Sequence, residues 1–276
     1  MTDADLAERV ADVQDRAAES LSDDTGFQGI VRAGTLQQFV DTLTPLVSEG
    51  KIHVGDHGFR TTVVEAANVA MYRPVELSAE GFESVDAPGQ VRAFGVDFTT
   101  IDDRLGQANS DDLVSLAIDM ESRKMVIRYR NIEHTVALID PDAVREEPDD
   151  PDLDLPNRIV IEGSDLSTAI KACDEVGDHV DLVADPDAEH VVIRSEGDTD
   201  TTDVTFAHGE TIDAKVTESA TSILSLEYLK ELSKPIPDGA EVEIWFGNEF
   251  PITLDWAACD GHLTAHAMQA PRIQSH

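Results

Sequence analysis

Apolar residues along the chain follow two different periods in turn. Segments in which about every second residue is apolar, such as those that begin at Lys124 and Ala240, predict β-strands. Other segments place apolar residues three and four positions apart, which predicts helices with one buried face. These predicted helices lie at residues 34–47, 98–108, 164–177 and 226–232.

The predicted strands and helices follow nearly the same order in both halves of the chain. An offset of about 130 residues aligns Leu36 with Leu166 and Pro141 with Pro271, which indicates an internal duplication. The sequence therefore predicts an α+β fold of two tandem modules, each a mostly antiparallel sheet with two helices on one face. The predicted segments are module 1 (27–139), a connector (140–157) and module 2 with its C-terminal tail (158–276).

The connector is rich in Asp, Glu and Pro, and it contains no apolar run long enough to form a strand. Such a composition predicts an extended and partly stiff segment.

Residues 1–26 form an acidic extension ahead of module 1. The spacing of its apolar residues is that of a short amphipathic helix, and the alternative is a frayed, solvated extension. The residues with this spacing are Leu6, Val10, Val13, Ala17 and Leu21.

The chain carries 56 acidic and 20 basic residues, a formal net charge of −36. One interpretation is a specialised acidic protein that binds cations or mimics nucleic acid. The other is adaptation to multimolar salt, in which the Debye length falls to roughly 3 Å and self-repulsion is tolerable. The carboxylates are spread through every segment, which favours salt adaptation.

Sequence motifs for catalysis or metal binding are absent. The chain has no GxxxxGK[ST] loop, no GxGxxG after a strand and no GxSxG elbow. His262 and His266 would lie roughly 13 Å apart on a strand, which is too far to share a metal. Asp150, Asp152 and Asp154 begin like a calcium loop but lack its later Gly and Glu. We therefore expect a binding or scaffolding protein that is not an enzyme and has no metal or cofactor.

The chain also lacks the sequence signals of export. No apolar run approaches a membrane span, and the acidic N-terminus is unlike a signal peptide. The two cysteines are Cys173, on the apolar face of a predicted helix, and Cys259. These features predict a reduced, cytoplasmic protein without a membrane partner.

Four segments, in this order and within a duplicated chain, resemble the DNA sliding clamps of the proliferating-cell-nuclear-antigen family, of halophilic archaeal type. They are VVEAANVAM (63–71), ALIDPD (137–142), SLEYLKELSKPIP (225–237) and APRIQ (270–274). The resemblance covers residues 27–274.

The resemblance implies a processivity factor for DNA replication and repair: a homotrimeric ring that slides on duplex DNA without reading its sequence. Such a ring closes by pairing of edge strands between subunits. The candidate edges are residues 132–138 and 202–208, and the alternative for each is an ordinary strand within a monomer.

The resemblance also implies a pocket that takes short peptides of DNA polymerase, flap nuclease, ligase and the clamp loader. The matching residues are Val64, Asn68, Met71, Val144, Leu153, Pro251, Met268, Ala270 and Pro271. Two features depart from the family: Asp149 and Asp150 stand where an apolar residue is common, and Met268 replaces an aromatic one. The alternative is that Met71 and Met268 are plain core residues.

Basic residues on the inner helices of the family contact the phosphate backbone. Arg104, Lys171, Lys230 and Lys234 match or lie close to such positions. However, Gln37, Gln38, Thr44 and Asp103 stand where lysines are common. An alternative function is therefore a divergent interaction hub of the same fold with weak or no encirclement of DNA.

Overall fold

A computed structural model describes residues 3–18, 25–87, 89, 91–119, 122–149, 151–188, 190–207, 209 and 211–272. The described residues form two compact units. Unit 1 contains those up to Val63, Val75–Glu147 and Cys259–Leu263, and unit 2 contains Val64–Pro74, Pro148–Ala258 and those from Thr264 onward. Residues 64–74 belong to unit 2, and residues 259–263 belong to unit 1.

The first half of the chain alternates strands with three helices. Its elements are α1 (Asp3–Ala18), β1 (Thr25–Arg32), α2 (Ala33–Leu43), β2 (Glu49–Gly55), β3 (Gly58–Val64), β4 (Ala70–Ser78), β5 (Phe82–Asp86), β6 (Arg92–Asp97), α3 (Phe98–Leu105), β7 (Leu113–Asp119), β8 (Lys124–Tyr129) and β9 (Ile132–Ala137). A five-stranded sheet runs in the order β5-β1-β7-β8-β9, and β4-β3-β2-β6 are neighbours in a second sheet. The pairs along the five-stranded sheet are all antiparallel.

Four phenylalanines fill the core of unit 1. The Phe59 ring centroid lies 5.2 Å from that of Phe27 and 5.2 Å from that of Phe82, and Phe39 lies 6.0 Å away. These rings are buried, and they come from both layers: Phe27, Phe59 and Phe82 from strands, and Phe39 from α2. Helices α2 and α3 pack against each other. The Asp97 side chain accepts from the Thr100 backbone N–H at 2.8 Å and so begins α3.

The second half of the chain repeats this plan. Its elements are β10 (Asn157–Glu162), α4 (Gly163–Asp174), β11 (His179–Asp185), β12 (His190–Glu196), β13 (Thr201–Ala207), β14 (Asp213–Lys215), β15 (Ala220–Ser225), α5 (Leu226–Ser233), β16 (Glu241–Phe246), β17 (Ile252–Ala258) and β18 (Leu263–Gln269). A four-stranded sheet has the order β13-β12-β11-β15. In unit 2 the other sheet runs β14-β10-β16-β17-β18 and continues to the first residues of β4.

The predicted α+β fold of antiparallel sheets with paired helices is confirmed. All four predicted helices are present as α2, α3, α4 and α5, and the helical spacing near the N-terminus corresponds to α1. The structure ends α2 at Leu43, two residues before Pro45, which cannot continue a helix. Leu21 lies outside the described residues.

Gly163 begins α4 at a point where no side chain fits. Its backbone N–H donates to the carbonyl oxygen of Ala240 at 2.8 Å. The Ser164 N–H donates to the backbone carbonyl oxygen of Asp238 at 2.9 Å. A Cβ at Gly163 would lie 2.3 Å from the carbonyl oxygen of Pro237. The start of α4 is therefore fixed against the loop that follows α5.

The substitution Gly163→Ala should lower the free energy of unfolding by about 1–3 kcal/mol, because this contact is with backbone that cannot move aside easily. Denaturant unfolding at constant high salt measures the change. The matched control is Gly239→Ala in the same loop, where an added Cβ meets nothing within 4 Å. Equal stabilities of the two variants would contradict this account of the start of α4.

Candidate functional site

An apolar cluster in unit 2 brings together four of the predicted pocket residues. Val64, Met71 and Met268 are 6%, 9% and 6% exposed, and the partly buried Leu153 packs against them. Met71 lies on β4 and Met268 on β18, which are neighbouring strands. Residues that are nearly two hundred positions apart in sequence therefore share one surface of the sheet.

The second part of the connector covers this cluster in an extended form. Leu153 and Leu155 face inward, whereas Asp152 and Asp154 are exposed. The Arg73 Nη1 approaches the carbonyl oxygen of Pro151 at 3.5 Å. Because leucine and aspartate alternate, this segment presents an apolar side to the cluster and a charged side to solvent. Asp150 lies outside the described residues.

A tight turn holds Asn68 beside the cluster. Glu65 is 8% exposed, and its carboxylate accepts from the backbone N–H groups of Ala67 at 2.5 Å and Val69 at 2.6 Å. Asn68 adopts φ 61°, a left-handed conformation that Asn tolerates better than most residues. Its side chain is exposed at the tip of the turn. Burial raises the pKa of the Tyr228 hydroxyl, and the nearby carboxylates Glu65 and Glu227 raise it further.

The C-terminal pocket residues follow directly after β18. The Ala270 N–H donates to the Val69 carbonyl oxygen at 2.8 Å, and the Arg272 N–H donates to Ile223 at 2.7 Å. These bonds hold Ala270 and Pro271, both partly buried, against the sheet of unit 2. Ile273 and Gln274 of the APRIQ segment lie outside the described residues.

Phe250 is a candidate pocket residue that the sequence prediction missed. Its side chain is 52% exposed, next to the predicted Pro251, and its carbonyl oxygen accepts from the Ser222 hydroxyl at 2.8 Å. A Cβ at Gly247 would lie 3.7 Å from the Phe250 Cβ and 3.6 Å from Leu155 Cδ2, which places Phe250 near the end of the connector. The available sequence signal was an aromatic residue directly before the predicted Pro251.

Val144 lies in unit 1. It is 5% exposed, and a Cβ at Gly95 would lie 2.9 Å from its Cγ1. Directly before the connector, Ile139 forms an isolated bridge with Gly95, and within the connector the Glu147 carboxylate lies 2.9 Å from His53 Nε2. These contacts indicate that Val144 anchors the first part of the connector to unit 1.

The helices of unit 2 carry three of the predicted DNA-facing residues. Lys171 on α4, Lys230 on α5 and Lys234 at the end of α5 are all exposed. Lys230 Nζ lies 2.6 Å from the Asp174 carboxylate, and this ion pair partly neutralises the positive charge of Lys230. The two helices pack against each other.

Helices α2 and α3 of unit 1 carry fewer basic residues than α4 and α5 of unit 2. Arg104 is exposed in the last turn of α3, whereas α2 contains no Lys or Arg. Gln37 on α2 donates to the carbonyl oxygens of Leu105 at 3.0 Å and Ala108 at 3.2 Å. Its amide therefore joins the two helices.

Each unit presents one of the predicted edge strands at the end of a sheet. β9 ends the five-stranded sheet and β13 ends the four-stranded sheet. Both alternate between more and less exposed residues, and each is tied to its inner neighbour by an arginine. Arg128 Nε lies 2.7 Å from Glu133, and Arg194 Nε lies 2.6 Å from Asp203. His208 lies outside the described residues.

Among the described residues, no group of His, Cys, Asp and Glu could hold a metal ion. His266 Nδ1 lies 3.0 Å from the Asp255 carboxylate. Within the same part of the chain, no helix is long and apolar enough to cross a membrane.

The chain is similar over nearly all its length to proteins of halophilic archaea. A DNA polymerase sliding clamp of Natronomonas pharaonis is 45% identical over 251 residues, which cover 90% of this chain and 99% of that protein. The chain belongs to the DNA polymerase sliding clamp family. The clamp of Halobacterium salinarum is 43% identical over 252 residues, covering 91% of this chain and 100% of that protein. No protein-family model matches the chain.

The fold agrees with this family. A solved structure of A. fulgidus PCNA with the C-terminal region of FEN-1 bound has a TM-score of 0.85 and 32% sequence identity. It covers 91% of this chain, and the match spans 100% of that chain. Since these relatives match over almost their whole lengths, about a tenth of this chain has no counterpart in them.

The substitution Glu65→Ala should loosen the turn beside the apolar cluster, because it removes the acceptors of two backbone N–H groups. We expect a loss of about 2 kcal/mol in the free energy of unfolding and faster amide hydrogen exchange at Ala67 and Val69. The control is Glu76→Ala, which removes an exposed ion pair with Arg60 at 3.1 Å. Unchanged exchange at both amides would contradict the assigned role of Glu65.

Proposed function

We propose that three copies of this chain form a closed ring around duplex DNA and tether replication and repair enzymes to it. The observation that carries the proposal is one predicted edge strand in each unit, β9 and β13, in a member of the sliding clamp family. An edge strand leaves a row of backbone N–H and C=O groups available to another chain. Pairing of β9 of one subunit with β13 of the next uses both edges, and three such contacts close the ring.

The proposed contact with DNA is electrostatic and independent of sequence. The residues that would face the phosphate backbone are few, and their exposure on the helices supports this role: Arg104, Lys171, Lys230 and Lys234. Because each neutralised phosphate releases about one counterion, few contacts give affinity that changes little with salt. Retention on DNA then depends on the closed ring rather than on contact energy.

We infer that the cluster of unit 2 receives the partner peptides. Val64, Met71, Met268 and Leu153 offer an apolar floor, and the polarisable thioethers adapt to different anchors. Asn68, Pro251, Ala270 and Pro271 would border it, with Phe250 added. Short peptides of DNA polymerase, flap nuclease, ligase and the clamp loader fit this chemistry as helical turns with apolar anchors.

In this proposal the chain itself is not an enzyme and needs no cofactor. Its mechanism is topological: a ring that cannot leave closed DNA raises the local concentration of any enzyme bound to it. An ATP-driven clamp loader, supplied by other proteins, would open the ring. We propose that the protein acts in the cytoplasm.

A ring should stay on circular DNA and leave linear DNA. In high salt, light scattering should give a mass three times that of the 30.0 kDa chain. After loading by the clamp loader with ATP, the protein should co-elute with nicked circular plasmid. Cutting the plasmid should lower the amount of co-eluting protein at least about tenfold, since only the topological link is lost. The control is the same plasmid without the loader.

A monomeric mass would contradict the ring. A trimer that is never retained on circular DNA at any salt concentration would instead favour the alternative, an interaction hub without encirclement.

Charges placed in the apolar cluster should abolish peptide binding. The double substitution Met268→Asp and Pro271→Asp should weaken binding of a labelled peptide with aliphatic and aromatic anchors by at least about tenfold, because the anchors lose their apolar contact. Fluorescence anisotropy measures the affinity, and light scattering checks that the oligomer persists. The control is Thr264→Asp, at a partly exposed position of the same strand. Retained binding in the double variant would show that the pocket lies elsewhere.

A further inference from the structure

Helix α1 lies on one face of the five-stranded sheet of unit 1, and the family resemblance begins only after this helix has ended. The helix packs against β7 and β1, and Gln14 Nε2 donates to the Ser84 hydroxyl at 2.8 Å. Among residues 4–14, three apolar residues are partly buried and the others are exposed; the three are Leu6, Val10 and Val13. Helix α1 is therefore held on the sheet by one narrow apolar stripe.

The duplication indicates that this face of unit 1 is suited to a covering helix. β1 pairs with β7 in the same register in which β10 pairs with β16. On the side of β7 that faces α1, the residues are uncharged and buried, whereas their counterparts on β16 are larger or acidic and more exposed. The described residues of the connector, which precedes β10, form no helix. The matched residues are Leu113 with Glu241, Ser115 with Glu243, and Ala117 with Trp245.

Helix α1 also lies beside the end of β8, the strand that holds edge strand β9. Residues of α1 line one cleft together with residues 128–130. The Arg128 Nε donates to Glu133 of β9 at 2.7 Å. Tyr129, on the opposite face of the strand, donates its hydroxyl to the carbonyl oxygen of Arg104 in α3 at 2.7 Å. The end of β8 is therefore fixed to α3 on one face and lies next to α1 on the other.

The two edge strands carry matched ion pairs that differ in the exposure of the arginine. Arg128 pairs with Glu133 of β9 in unit 1, and Arg194 pairs with Asp203 of β13 in unit 2. The Arg128 side chain is 16% exposed and that of Arg194 is 38% exposed, while both acids are exposed. Salt screens a charge less when it is withdrawn from water, so the pair beside α1 keeps more of its strength in concentrated salt.

We propose that α1 supports edge strand β9 by covering the ion pair of Arg128 with Glu133, and that it thereby strengthens the contact of β9 with β13 of a second copy of this chain. A strand that is already ordered loses less conformational entropy when it pairs, so support of β9 favours pairing. The second part of this proposal rests on the proposed ring, whereas the first part concerns unit 1 alone. Release of α1 would weaken one edge of each subunit and leave the other unchanged.

Undocking of α1 in the full chain should loosen β9. The substitution Val10→Asp places a charge in the apolar stripe, and the matched control Ala11→Asp adds the same charge at the next, exposed position. In Val10→Asp, amide hydrogen exchange should become at least about tenfold faster in α1 and at least about threefold faster in β9, because the support is lost. Ala11→Asp should leave β9 unchanged, and the amides of β16 in unit 2 are the internal reference.

The same two variants should differ in subunit association. Light scattering along a dilution series, at constant high salt, gives the protein concentration at which half of the trimer has dissociated. This concentration should rise at least about tenfold in Val10→Asp, since an unsupported edge must be ordered before it pairs, and it should stay unchanged in Ala11→Asp.

The substitution Arg128→Gln tests whether the support acts through the ion pair. It should speed amide exchange in β9 while α1 stays docked. Arg194→Gln is the matched control, because Arg194 forms the same cross-strand contact with Asp203 in unit 2, and it should speed exchange in β13 instead.

Unchanged β9 exchange in Val10→Asp or in Arg128→Gln would overturn the proposal, and so would unchanged exchange of α1 itself in Val10→Asp. Equal dissociation of the trimers of Val10→Asp and Ala11→Asp would overturn the role of α1 in the subunit contact. A monomeric wild type would contradict the proposed ring, whereas the exchange of β9 would still decide whether α1 supports this strand.

Discussion

A net charge of −36 is the constraint that shapes the rest of this molecule. Each unit must bury enough apolar surface to fold against its own repulsion, and it does so with strands whose inward residues are almost all aliphatic or aromatic. Arginine forms many of the ion pairs within each unit, and one guanidinium serves two acids. Arg158 reaches both Glu243 at 2.6 Å and Asp213 at 2.5 Å, and these bonds raise its own pKa. Salt screens the remaining repulsion.

The connector also carries a high negative charge, and it is held in place without forming a sheet or a helix. Its first part is fixed in unit 1 by Val144 and by the contact of His53 with Glu147. Its second part is fixed in unit 2 by Leu153 and Leu155, and by the Thr217 hydroxyl that donates to Pro156 at 2.8 Å. Asp149 and Asp152, which lie between these points, are exposed. A few apolar anchors therefore suffice to hold a long, highly charged segment in one path.

Much of the fold could be predicted from the sequence because periodicity is a local property. The spacing of Leu36, Phe39 and Val40 is enough to predict α2, and the offset between Leu36 and Leu166 predicts the duplication. Pairing between distant strands is not local, so the meeting of Met71 with Met268 was inferred from family resemblance alone. Gln37 appeared to be a missing lysine, but hydrogen bonds to α3 explain it better. The exposure of Phe250 depends on a loop whose shape the pattern does not encode.

Sparse positive charge on the helices is consistent with a ring in concentrated salt. An open protein that bound DNA by contacts would need many lysines, and each contact would weaken as salt rises. A closed ring is retained by its covalent and strand connections, so contact energy can be small, and weak contacts also allow sliding. The pair of Lys230 with Asp174 reduces the attraction further. Under the proposed function, binding of subunits and partners relies on strand edges and on the apolar cluster, two interactions that salt strengthens or leaves unchanged.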